Sequence, residues 1–298
     1  MCYHGAREGE TSPSLFCGQC VTIMRGVGAV TKRWQEMVEH RYPGEMEIYP
    51  LADVHYGAIE CNEKAWEAVI KEILEKPNRF CVLNGDLVDN GVKSSVTNCY
   101  DATCPPSTQK KYMVDALRPL AEAGRVILAT SGNHEYRSKR ESDQDLTYDI
   151  LTKLDLEDIY RSDVGFLVCR IGDRGQGNNH QPNISYSIVM VHGTGGGYLP
   201  GATINRNERF ATQYIDGVDI AIVSHSHRGM VSRPSKLVVN SNAAQVTQRD
   251  ILVVSSVAWM DYGGYAMRKM LPPQTSCNPQ KIILGDNTYR ERDIRVVW

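Results

Sequence analysis

Five apolar runs in this chain stop on, or within a few residues of, an Asp, Asn or His. Ile48 to Ala52 leads to Asp53 and His55, Phe80 to Leu83 leads to Asp86, and Val126 to Ala129 leads to Asn133 and His134. Ser187 to Val191 leads to His192, and Ile220 to Val223 leads to His225 and His227. Carboxylate, amide oxygen and imidazole are good ligands for Mn²⁺, Fe or Zn²⁺, and no thiolate stands among them to favour a softer metal. One or two polar strand ends would mean little, because Asp, Asn and Gly suit turns. Five endings that all supply metal-binding types point to one metal centre.

These donors must be positioned by the runs that precede them. A short β-branched run flanked by Gly and polar residues reads as a buried strand. In open α/β sheets the ligand crevice lies just outside the carboxyl ends of such strands. Between the first two runs, residues 62–76 have helical spacing, with Ala65, Val69, Ile73 and Leu74 apolar and Pro77 as a stop. A strand, a helix and a second strand make a β-α-β unit. Residues 109–123 read as a second helix, 143–154 as a third and 208–214 as a short one, while 166–171 reads as a further strand. Lys236–Asn240, Ile251–Ser255, Lys281–Leu284 and Asp293–Val297 alternate like strands of a second, more antiparallel sheet.

The chain has 298 residues, 42% of them hydrophobic and 23% charged, which is ordinary globular usage and ample length for a buried core. A formal charge of −2 gives no global sign of a nucleic-acid binder, although Arg137-Ser138-Lys139-Arg140 is locally basic. No apolar stretch approaches the roughly 20 residues that span a bilayer. The start, Met1-Cys2-Tyr3-His4, lacks the pattern of a secretory signal, so a cytoplasmic location and free thiols are expected. Of the nine cysteines, Cys81 and Cys169 fall inside strand patterns and read as small core residues.

Cys2, His4, Cys17 and Cys20 form a C-x-H and a C-x-x-C pair around a polar stretch that could not fold on its own hydrophobic burial. A tetrahedral Zn²⁺ would staple this arm; the alternative is an unstructured arm with incidental thiols. Residues 1–23 are thus expected as a zinc-binding arm, 24–44 as a linker and 45–298 as the catalytic domain. Within the linker, residues 30–40 read as a short amphipathic helix bearing Val30, Trp34, Met37 and Val38 on one face.

In order, the polar blocks are Asp53-Val54-His55, Gly85-Asp86-Leu87-Val88-Asp89, Gly132-Asn133-His134-Glu135, His192-Gly193 and Ser224-His225-Ser226-His227. This series closely resembles the calcineurin-like metallophosphoesterase superfamily, with its pattern D-x-H, G-D-x-x-D, G-N-H-[ED], H and G-H-x-H. The one departure is Ser224 in place of Gly, which touches the local turn and not a ligand. The resemblance implies an α/β fold, a four-layer αββα sandwich of two mixed β-sheets flanked by helices. It also implies two divalent metal ions, Mn²⁺ being favoured and Fe, Zn²⁺ or Mg²⁺ compatible. One ion would take Asp53, His55 and His227, the other Asn133, His192 and His225, with Asp86 bridging. Only two of those ligands are anionic, so the pair would keep a formal charge of about +2 that attracts a phosphate ester. Ions roughly 3.5–4 Å apart can stabilise both the entering and the leaving oxygen of an in-line displacement. By the same resemblance His134 protonates the leaving oxygen or steadies the transition state, and Asp89 orients it.

The serine/threonine protein phosphatases carry a phosphoryl-binding Arg after the second Asp, where this chain has Asn90. That difference favours a phosphodiesterase over a phosphomonoesterase. The whole chain looks closer to the compact bacterial and bacteriophage metallophosphoesterases often likened to DNA-repair exonucleases, which implies a nuclease acting on DNA or RNA. A protein or small-molecule phosphatase uses the same metal core and is the alternative; a non-catalytic scaffold is less favoured, since every ligand position is filled. Asn90, Arg137 and Arg228 are candidate substrate contacts, and the glycines after His192 either approach a phosphate or form a turn needing φ > 0. The segments Asn90–Pro106 and Trp259–Pro273 are the candidate covers of the site.

Overall fold

A computed structural model describes residues 34–93, 95, 99–172, 184–195, 199–273, 277–286 and 292–298. Cys2, His4, Cys17 and Cys20 therefore lie outside the described residues, as do residues 30–33 of the expected linker helix and Gly196 and Gly197. The body from Met37 to Trp298 is described below.

The strands, in chain order, are β1 (Val38–Tyr42), β2 (Met46–Leu51), β3 (Arg79–Asn84), β4 (Val126–Thr130), β5 (Tyr160–Arg161), β6 (Val164–Ile171), β7 (Ile184–Val191), β8 (Ile220–Val223), β9 (Met230–Ser232), β10 (Ser235–Asn240), β11 (Gln245–Asp250), β12 (Leu252–Ser255), β13 (Lys281–Leu284) and β14 (Ile294–Val297). They build two mixed six-stranded sheets, ordered β14-β13-β2-β3-β4-β5 and β1-β6-β7-β8-β12-β9. The helices are α1 (Glu63–Leu74), α2 (Pro106–Glu122), α3 (Asn133–Ser142), α4 (Leu146–Thr152), α5 (Pro200–Arg209) and α6 (Gly264–Arg268).

Strand periodicity explains the layering. Side chains alternate across a strand, so Ile48, Phe80, Val82, Ile188, Met190, Ile220, Ile222 and Val254 all enter one cluster between the two sheets. Their neighbours Tyr49, Leu51, Cys81 and Leu83 face the other way and pack with Trp66, Ile73, Met113, Leu117 and Ile150 of α1, α2 and α4. On the outer face of the second sheet, Val189, Ala221 and Val253 pack with Ala211 and Val218. The result is helices, sheet, sheet, helix. Each fully buried aliphatic side chain in these layers contributes roughly 1.5–3 kcal/mol.

Local signals set the helix ends. The Asn62 side chain accepts the Ala65 amide at 3.0 Å and caps α1. Pro106 opens α2, where its missing N–H costs nothing.

Two expectations are corrected. Residues 38–40, read as the end of an amphipathic helix, belong to β1, which pairs in parallel with β6. Val38 and Tyr42 pack on the inter-sheet cluster, and a five-residue run with alternating burial fits an edge strand as well as it fits one helix turn. The four later strands do not form a sheet of their own. Among the described residues β10 pairs only with β11 in a hairpin, β12 joins β8 in parallel, and β13 lies antiparallel to β2 with β14 outside it. Alternation fixes which face of a strand is buried, not which sheet receives it.

Candidate metal centre

The five polar strand ends come from both sheets, β2, β3 and β4 of one and β7 and β8 of the other. Directly after the strands the chain turns sharply. Asp53, His55, Asp86, His225 and His227 all have positive φ, at 54°, 48°, 51°, 68° and 56°. Non-glycine residues seldom adopt this left-handed region, and Asp, Asn and His are those that tolerate it best. The glycines beside them are needed for close approach. A Cβ on Gly132 would lie 2.2 Å from Asp86 Oδ1, and one on Gly85 would lie 2.4 Å from the Gly132 nitrogen.

The donors converge into overlapping sets: Asp53, His55 and His227; His55, Asp86 and His134; and Asp86, His192 and His225. His227 Nε2 is 3.0 Å from His55 Nε2 and 3.5 Å from Asp53 Oδ1. His192 Nε2 is 3.1 Å from Asp86 Oδ2 and 3.1 Å from Asn133 Oδ1. Asp86 Oδ2 also lies 3.8 Å from His55 Nε2, so this one oxygen stands between the two groups. Atoms bound to one ion at about 2.1 Å stand roughly 3.0–3.4 Å apart, and the observed spacings fit that requirement. Asp53 Oδ1 is buried with no hydrogen-bond donor among the described residues and is aimed at three imidazoles, as a carboxylate awaiting a cation would be. His192 Nδ1 faces the Asn84 carbonyl at 2.6 Å, which makes it the N–H and leaves Nε2 for a metal.

The electrostatics of the bare protein describe a site that holds protons where a metal would hold charge. Burial opposes charge on His192, but Asp86 and Asp53 outweigh it and push this imidazole up to about 10. Burial, helped by Asp86 and opposed by His192, pushes Asp53 up to about 7. Asp86 goes the other way: despite burial, His192 and His134 hold its carboxyl well below the usual range. Burial depresses His225 and His227 to about 4, which keeps them neutral and ready to ligate.

His134 turns away from Asn133. Its Nδ1 is 2.7 Å from the Asp89 carbonyl oxygen and 3.4 Å from Asp89 Oδ1, so the main chain makes the closer contact. Its Nε2 faces Asp86 Oδ2 at 3.8 Å and lies 2.8 Å from Arg137 Nη2, while Arg137 Nη1 donates to the Asp89 carbonyl at 3.0 Å. Burial opposes charge on His134, and Asp86 and Asp89 raise its pKa above the ordinary value.

Several residues outside the donor set hold the loops in register. Glu135 is fully buried and accepts the amides of Asp86 (2.9 Å), Leu87 (2.7 Å), Val88 (3.2 Å) and Gly132 (3.1 Å). Asn84 donates to the Val191 carbonyl at 2.9 Å and to Ser224 Oγ at 2.6 Å, tying β3 to the opposite sheet. Ser224, the one departure from the motif series, is used: its hydroxyl also donates to Ser256 Oγ at 3.1 Å. Sequence reasoning missed Glu135 and Asn84 as site residues. Glu135 was readable as the acid of the third motif, but Asn84 carried no signal beyond being polar at a strand end.

The expected substrate contacts divide. Asn90 is fully buried and is not one: its amide donates to the His134 carbonyl (2.7 Å) and to Ser138 (2.9 Å), and its N–H is taken by Gln109 (2.8 Å). Asn90 itself sits in the left-handed region, with φ 45°. Arg137 reaches the centre through His134, and Arg228 sits half-buried next to His227. Arg206, not anticipated, donates to the Gly195 carbonyl, and its Nε and Nη2 have no hydrogen-bond partner among the described residues; its charge is felt at His225. The two candidate covering segments meet through Asp101 and Arg268, 3.7 Å apart.

The sequence profile of the calcineurin-like phosphoesterase family matches residues 46–229, more than half of the chain and the stretch that carries all five blocks. No curated protein matches. Among solved structures, a metallophosphoesterase from Sphaerobacter thermophilus is 15% identical, with 85% of this chain and 89% of that one covered and a TM-score of 0.37. GAP50, the anchor in the inner membrane complex of Plasmodium, is 10% identical over 82% of each chain, with a TM-score of 0.37. A cold-active protein-tyrosine phosphatase of a psychrophilic Shewanella species is 11% identical over 87% of this chain and 82% of that one, with a TM-score of 0.31.

Proposed function

The chain belongs to the calcineurin-like phosphoesterase family and is a metal-dependent phosphoester hydrolase, and from that premise we propose that it cleaves phosphodiesters, with nucleic acid as the substrate class and Mn²⁺ as the preferred metal. Asp53, His55 and His227 would hold one ion, Asn133, His192 and His225 the other, and Asp86 both. Two such ions supply Lewis-acid charge to the phosphate and lower the pKa of an attacking water.

The protein's own groups do the rest. His134, fixed at Nδ1 by the Asp89 carbonyl, presents Nε2 toward the centre and delivers a proton to the leaving oxygen. In the resting arrangement Nε2 accepts from Arg137 and so carries no proton; that contact must open and Nε2 must take up a proton, which the Asp86 and Asp89 carboxylates favour, before it can pass one on. Glu135 and Gly132 keep Asp86 and Asn133 at a fixed separation.

The observation that carries the diester reading is Asn90. Its amide is consumed by His134 and Ser138, so the position after the second Asp offers no cation to a phosphate. A monoester dianion needs more positive charge around its free oxygens than a diester monoanion does. One observation favours the monoesterase alternative: the Arg137 guanidinium lies against His134 and could turn toward a phosphate. The test is hydrolysis of bis-p-nitrophenyl phosphate, p-nitrophenyl phosphate and a single-stranded oligonucleotide at matched Mn²⁺. Preference for the diester and cleavage of the oligonucleotide are expected. A clear preference for the monoester would overturn the reading.

A further inference from the structure

A second feature of the described residues has no part in the metal centre. Ser107, Lys110, Lys111, Val114 and Arg118 of α2 and Lys153 at the end of α4 line a cavity of about 490 Å³. Four of the six lining side chains are cations and none is an acid, in a chain whose formal charge is −2. Lys110 is anchored by Asp149 at 3.0 Å. Among the described residues no carboxylate lies within ion-pair distance of Lys111, Arg118 or Lys153, and Asp115 on the same helix is not part of the lining. Val114 is buried and forms an apolar floor.

The position of this cavity follows from the topology. β3 and β4 are parallel neighbours whose carboxyl ends carry Asp86 and Asn133, and α2 connects them. A connecting helix must run back antiparallel to its strands, so its first turns lie at the metal end. Gln109, between the lining residues, confirms this placement: it accepts the Asn90 amide at 2.8 Å and donates to the Cys104 carbonyl at 2.8 Å. From Ser107 to Arg118 the cationic face descends roughly 16 Å along the helix, at about 1.5 Å per residue. That is the axial rise of about five nucleotides of one strand.

We propose that this cationic cavity is a docking site for the phosphate backbone of a polynucleotide, outside the position that is cut. The inference rests on the diesterase reading but is tested by binding, so the two can fail separately. The ligand chemistry is the phosphate anion, which a polymer or a free nucleotide could bring; the polymer is favoured because the cations are strung along a helix that starts at the metal end.

The experiment compares the full-length protein with the variant K111A/R118A/K153A and with the charge-preserving K111R/R118K/K153R. Binding of a labelled 20-nucleotide single strand, in a His134→Ala background, is measured from 50 to 300 mM salt. The alanine variant is expected to bind at least tenfold more weakly, with a log Kd against log salt slope smaller by about 2, since each single-strand phosphate contact adds about 0.7. The charge-preserving variant should retain wild-type binding, and hydrolysis of bis-p-nitrophenyl phosphate with His134 present should stay within about twofold in both. Unchanged affinity and slope in the alanine variant overturn the proposal. Loss of adenosine monophosphate binding with oligonucleotide binding intact also overturns it, because the cavity then serves a free nucleotide. An oligonucleotide bound through these cations but never cut supports the docking site and counts against the nuclease reading instead.

Discussion

Glu135 and Asp86 hold each other's loops by exchange. The Glu135 carboxylate takes the Asp86 amide at 2.9 Å, and the Asp86 carboxylate takes the amide of His134, next to Glu135, at 2.8 Å. The residue proposed to serve both metal positions is thereby fixed by an acid outside the donor sets.

Glu135→Gln is expected to destabilise the protein by about 2–4 kcal/mol, because an amide nitrogen would face backbone donors in a buried site. Thermal unfolding with and without Mn²⁺ checks this. Metal should recover only part of the loss, and an unchanged melting temperature would remove Glu135 from the framework of the site.

His134→Ala should lower kcat by about 10²–10⁴ with bound metal unchanged. Asp89→Asn should cost only about tenfold, since the carbonyl contact at 2.7 Å survives and only the group at 3.4 Å changes. Equal losses in the two variants would show that the carboxylate, not the main chain, orients the imidazole.

Metal uptake should release protons. With His192 raised to about 10 and Asp53 to about 7, the bare centre at pH 7 keeps the His192 proton and about half of that on Asp53, and both must leave before the ligands bind. Affinity should therefore rise with pH, changing between about tenfold and a hundredfold per unit from pH 6 to 7. His225 and His227, at about 4, are already neutral there and add nothing. Titration calorimetry in buffers of different ionisation enthalpy counts the protons, and a count near zero at pH 7 would contradict this description.

Arg137→Ala separates the two substrate readings. If Arg137 positions His134 by holding the Asp89 carbonyl at 3.0 Å, kcat for bis-p-nitrophenyl phosphate should fall by about tenfold with KM within about threefold. A KM rise above tenfold at unchanged kcat would place the guanidinium on the phosphate and revive the monoesterase reading.

The residues that meet at the centre were legible because motif order survives folding: each block ends its own strand, whichever sheet the strand joins. The pairing of the later strands was not legible, because Leu252–Ser255 is buried on all positions and carries no mark of its neighbour. α3 escaped notice for the opposite reason. Its sequence, NHEYRSKRES, buries only Glu135 and Ser138, so no apolar stripe announces a helix. Asn90 reads as a substrate contact because the chain shows its position after Asp89, but not that its side chain is buried against His134 and Ser138.

The D-x-H and H-x-H spacings have a meaning that ligand chemistry alone does not supply. Asp53 and His55, like His225 and His227, are left-handed residues with one other residue between them. The two pairs thus share a rhythm of backbone handedness, and that rhythm sets which amino acids can be exchanged there. A β-branched replacement would meet the turn as an obstacle before it met the metal. Glycine would keep the turn and lose the donor. Grafting this centre onto another scaffold would therefore require carrying over the bends as well as the side chains.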